Sequence, residues 1–137
     1  MIKISDLSVG DWVRYGGIDY QVKGIDGAFE RVTLIGNKEQ RDESIYALRP
    51  ILISAPILEK NGWAFNKSNQ WWTCQIDEDT RANVWLGGNG EYRVEVSVLY
   101  GESRTWSNYA DIKLANAHIH LLQHALRLAG VKKEINL

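Results

Sequence analysis

The sequence predicts an α+β fold: a small barrel or meander of short strands, a short helix, and then an antiparallel sheet with a C-terminal helix packed on it. Three observations predict it. Glycines at Gly10, Gly16, Gly17, Gly24, Gly27 and Gly36 divide the first third into short segments that alternate apolar and polar residues, the pattern of half-buried strands joined by tight turns. Strict alternation also runs from Tyr92 to Tyr100, with Val94, Val96 and Val98 on one face and Arg93, Glu95 and Ser97 on the other. Finally, Ile119, Leu122, Leu126 and Ala129 recur at helical spacing near the end of the chain, where they form one apolar stripe. The expected organisation is a 1–53 β-barrel module and a 54–137 α+β module that together make one compact unit.

The elements follow in order. Residues 12–15 read as a strand, and Gly16-Gly17 supplies the positive backbone angles of a two-residue hairpin. Ile18, Tyr20 and Val22 then share one face of a second strand, and Asp26-Gly27 turns the chain into a third over 29–35. The charged run 38–43 is expected to be a solvated loop, with a fourth strand over 44–48. Pro50 ends the pattern, after which Ser54 can cap a helix over 55–61 whose first turn accepts Pro56 and whose end is marked by Gly62. Strands are expected over 63–65, 71–76, 84–86 and 91–100, with turns at 66–69, 77–83 and 87–90. The last helix spans 117–129, with Asn116 as N-cap and Gly130 as the terminating glycine, and 134–137 adds a final edge strand.

Composition excludes several classes of function. The 137 residues carry 16 basic and 17 acidic side chains, a net charge of -1, so no global field draws the protein to nucleic acid or an anionic membrane. A single cysteine, Cys74, has no internal partner, which fits a reducing compartment. No apolar run approaches the length needed to span a bilayer, and the opening MIKISDLSVG lacks the apolar core of a signal peptide. A cytoplasmic protein with no membrane partner is therefore expected.

Three segments, VGDWVRYGGIDYQVKGID, LRPILISAPILEKNGW and HIHLLQHALRLAG, resemble in that order a family of small uncharacterised proteins from gut bacteria and their phages and mobile elements. That resemblance implies an opening barrel-like hairpin, a proline-containing strand, a short helix and a final helix rich in His, Gln and Leu. It implies no catalytic residue. The hairpin itself is similar to those of SH3-like barrels in translation and transcription factors, a likeness of fold that carries no function.

The chemical candidates are few. His120 and His124, at i and i+4, face one way on a helix and could hold a metal ion, with His118 on another face. Leu121 stands where zinc proteases place the catalytic glutamate, and no third ligand is evident, so solvated histidines are the expected state. The glycine-rich run at 87–90 precedes a strand and lacks the Lys-Ser/Thr of a phosphate loop, so a turn is expected. Cys74 falls on the core face beside Trp72, where a thiol is inert packing. Arg14, Lys23, Arg31 and Arg49, near Trp12 and Tyr20, are interleaved with Asp11, Asp19 and Glu30, which makes a mixed solvated surface rather than a nucleic-acid stripe.

Six tryptophans are the unusual feature of the composition. Strand parity puts Trp72 with Cys74 and Ile76 in the core and turns Trp71 and Trp85 to the opposite face, while Trp106 follows in a polar segment. Trp71, Trp85 and Trp106 are thus the candidate binding residues, for a protein partner, a sugar or a stacked base. The alternative is that they are covered by the barrel or a long loop. The expected function is a non-enzymatic interaction protein, carried by a phage or mobile element, without a cofactor. Its expected partner is another protein. Nucleic-acid binding is the alternative, and a metal-dependent enzyme built on the His120/His124 helix comes third.

Overall fold

The computed structural model describes residues 1–36, 38–87 and 90–137, which form two antiparallel sheets and two helices. The chain divides into two units, Met1–Leu52 with His118–His120, and Ile53–Ala117 with Leu121–Leu137.

The first unit is a four-stranded meander: β1 (Trp12–Tyr15), β2 (Ile18–Asp26), β3 (Arg31–Gly36) and β4 (Glu39–Ser44), paired in sequence order. Gly16 and Gly17 both have positive φ, 56° and 82°, which gives the β1–β2 turn the twist that two antiparallel strands require. Val13, Tyr20, Val22, Val32 and Leu34 meet Ile45 and Leu48 in its core.

Here the structure corrects the sequence reading three times. The charged run expected to be a loop is β4, an edge strand held by side chains as well as by its ladder. Arg31 pairs with Asp42 at 3.1 Å, Lys23 donates to Gln40 at 2.9 Å, and the Tyr20 hydroxyl donates to Glu39 at 2.5 Å. Charged side chains suit an edge because they discourage pairing with another chain. The expected fourth strand at 44–48 is instead a 3-10 turn, Ile45–Ala47, begun by the Ser44 hydroxyl accepting the Tyr46 N–H at 3.2 Å. That turn leaves Arg49 alone to pair with Arg14 of β1. The expected SH3-like barrel over 1–53 does not close among the described residues: the strands pair in the order β1-β2-β3-β4, so β1 and β4 remain edges.

The second unit opens with α1 (Ala55–Lys60), which has Pro56 in its first turn and is followed by Gly62 at φ 85°. Ser54 precedes it without a side-chain capping bond. Asn61, buried at the helix end, clasps the chain near its terminus: its amide nitrogen donates to the Ile57 and Asn136 carbonyls, and its oxygen accepts the Asn136 N–H at 2.7 Å. This side-chain clasp stands where a final strand over 134–137 was expected.

Five strands follow in sequence order: β5 (Ala64–Asn66), β6 (Trp71–Gln75), β7 (Thr80–Leu86), β8 (Tyr92–Tyr100) and β9 (Thr105–Leu114). β7 starts at Thr80, so most of the expected 77–83 turn is strand, and β9 was not foreseen. One face of the sheet, with Trp72, Cys74, Ala82, Val84, Val94 and Val96, is buried. The second helix, α2 (Ile119–Leu128), starts two residues later than expected because Ile53 N–H bonds to Ala117 O and Leu52 bridges His118. It buries Leu122, Ala125 and Leu126, and it ends as expected at Gly130, φ 76°. There the Val131 N–H returns to Leu126 O at 2.8 Å, which satisfies carbonyls that helix termination leaves open. Among the described residues no helix is long and apolar enough to cross a membrane.

Candidate binding face of the second sheet

The opposite face of the second sheet carries the candidate tryptophans. Register sorts its side chains into rows across the strands: Trp85, Arg93 and Lys113; then Thr73, Asn83, Glu95 and Asp111; then Gln75, Arg81, Ser97 and Asn108. Trp71 and Trp85, on neighbouring strands, pack with ring centroids 5.6 Å apart at 46°. Trp106 is brought onto this face by a bulge. Pairing jumps from Val96–Ala110 to Ser97–Asn108, which leaves Tyr109 unpaired and reverses the parity of the residues before it. The Arg81 guanidinium then lies 4.2 Å from the centre of the Trp106 ring, a cation–π contact. All three tryptophans are half-buried.

A cleft of about 600 Å³ opens on this face, lined by Trp71, Thr73, Arg81, Asn83, Glu95 and Ser97, with Asn66, Asn69 and Asn108 at its sides. The volume lies in the range of small-ligand sites. Burial and neighbouring Asp111 push the Glu95 carboxyl above its usual range, and Arg93 opposes them with a smaller effect. Gly87 borders Trp85: a Cβ at that position would fall inside the indole, so only glycine leaves the ring its place. The neighbouring Gly88 and Asn89 lie outside the described residues.

The sequence singled out Trp71, Trp85 and Trp106, and the structure places all three on this one face. It did not single out Arg81, the asparagines or Gly87. Continuing the Trp71–Thr73–Gln75 parity onto an earlier-starting β7 would have found Arg81 and Asn83.

The other candidates lie elsewhere. His120 is buried, at 2% exposure, rather than solvated, and its ring stacks on His118 at 5.6 Å. His124 is half-buried. Burial and the chain's terminal amine lower the His118 pKa. Among the described residues no group of three His, Cys, Asp or Glu side chains is placed to hold a metal. Cys74 is buried at 4% exposure, and burial raises its thiol pKa, the opposite of what a nucleophile needs. In the first unit Arg14 pairs with Asp19 at 2.7 Å, and Tyr20 is 1% exposed, so neither presents a free contact for a nucleic acid.

No family model, curated protein or solved structure matches the chain.

Proposed function

We propose that the chain is a non-catalytic interaction protein that holds a macromolecular partner on the tryptophan-bearing face of its second sheet. One observation carries this reading: three half-buried tryptophans share a face with a polar cleft. Half-exposed aromatic rings beside fixed polar groups supply contact area with little loss of side-chain freedom. The resemblance to small proteins of gut bacteria, their phages and mobile elements supports a role carried on such an element.

The test is capture by tagged protein from an extract of its own host. Wild type and the Trp71→Ala/Trp85→Ala double variant are compared, each with and without nuclease. Retention by wild type and loss by a folded double variant supports the reading. Equal retention by both removes this face from the function, and loss of all captured material on nuclease treatment puts nucleic-acid binding in its place.

A further inference from the structure

The cleft is rich in directed hydrogen-bond donors. Asn66 accepts the Ser68 N–H at 2.9 Å and Asn69 accepts the Trp71 N–H at 3.0 Å, each through Oδ1. A backbone N–H can only donate, so in both residues the oxygen is the occupied atom and the NH2 group is left over. Asn83 Oδ1 accepts the Thr73 hydroxyl at 2.8 Å and Asn108 Oδ1 accepts the Ser97 hydroxyl at 3.1 Å. Among the described residues none of these four amide nitrogens has a partner. Arg81 also lines the cleft, with its Nε buried and without a hydrogen-bond partner among the described residues.

The lining of the cleft carries two cations, Lys67 and Arg81, and one carboxylate, Glu95. Arg81 lies against the Trp106 ring, and Arg93 on the same face is paired with Asp111. A polyanion needs a run of cations along its track, and the cleft offers only two beside a carboxylate among its described lining residues. The ligand that fits is uncharged, rich in oxygen acceptors and flat enough on one side to lie against an indole. Sugar rings have this chemistry: hydroxyl and ring oxygens at the edge, and C–H groups on the face. Resting on the proposal that this face binds a partner, we infer that the cleft takes a neutral oligosaccharide, with Trp71 under a ring face, Trp85 packed behind Trp71, and the asparagine amides on its oxygens.

The experiment is binding of the full chain to an array of neutral glycans: glucans, mannans, xylans, galactans and chitin-derived oligomers. Oligo-dT and a sulfated glycan serve as charged probes. Hits are titrated by calorimetry at low and at 1 M NaCl. The expected result is saturable binding to at least one neutral glycan, little changed by salt. Trp71→Ala and Asn83→Ala should each weaken it about tenfold or more, roughly 1.4 kcal/mol, with the thermal transition retained. Asn83→Ala leaves both indoles in place, so it tests the donor set even if the tryptophan variant is destabilised. Failure to bind any neutral glycan, or binding that is indifferent to both variants, overturns the inference. If capture from host extract still depends on Trp71 and Trp85, the binding face stands and only its ligand class is wrong. If that dependence is lost too, both readings fall.

Discussion

Trp71 and Trp72 are adjacent in sequence and opposite in environment, so replacing each by alanine tests the register on which the binding face rests. Trp72 is 9% exposed, lies on the buried face opposite Val84, and packs against Phe65 with ring centroids 5.2 Å apart. Truncating a buried indole costs about 3–5 kcal/mol, because the transfer term and the cavity term add. Trp71 is half-buried and its ring touches Trp85. The lost area and the ring pair together amount to about 1–2 kcal/mol. For a chain of this size each kcal/mol shifts the thermal midpoint by about 3–5 °C, so Trp72→Ala should fall by ~10–20 °C and Trp71→Ala by less than half of that. Circular dichroism melts of the two variants and wild type read the difference, and urea titration checks it through the midpoint at constant slope. Equal losses would show both rings to be core, and a fully stable Trp72→Ala protein would invert the sheet. Either result removes the face argued here.

Two further perturbations probe the face without touching the core. Gly87→Ala places a methyl where the Trp85 indole lies; the ring has to move, and we expect a changed near-ultraviolet circular dichroism signal and weaker partner capture. An unchanged spectrum would show that Trp85 does not rest on Gly87. Glu95→Gln tests the raised carboxyl pKa. Where the folded pKa lies above the unfolded one, the folded state favours the proton, so ionised Glu95 destabilises above the folded pKa and the effect vanishes below the unfolded one. The glutamine variant should therefore melt higher than wild type at neutral pH and equally at acidic pH. A lower midpoint at neutral pH would refute burial as the cause of the shift.

Much of the fold was legible where one physical pattern dominates. The β1–β2 hairpin is written in Gly16-Gly17, the β8 strand in its strict alternation, and the end of α2 in Gly130. Legibility failed where side-chain contacts decide. β4 is built of Glu, Gln, Arg, Asp, Glu and Ser, a composition that reads as loop, and it becomes a strand through partners such as Arg31 and Tyr20 that lie far away in sequence. β9 was hidden for a similar reason: as an edge strand it leaves both faces partly wet, so Thr105–Leu114 shows no clean alternation. The last segment is apolar enough for a strand, yet Asn61 takes the Asn136 backbone groups that a neighbouring strand would have used.

The candidate site was half legible, and the missing half turns on one residue. Parity alone could assign Trp71 and Trp85 because β6 and β7 pair without interruption. Trp106 and Asn108 are different. Counted back from Asp111 on an ideal strand, even-numbered residues would point to the core face, and Trp106 would join Val96 and Val94. The unpaired Tyr109, 61% exposed, changes that count by one. A bulge costs one unpaired residue in the ladder and leaves little trace in a single sequence. Here it delivers an indole to Arg81 and an amide to Ser97, which otherwise would face the cleft with less to hold them. The tryptophans supply the area of the face, and the bulge at Tyr109 makes them three rather than two.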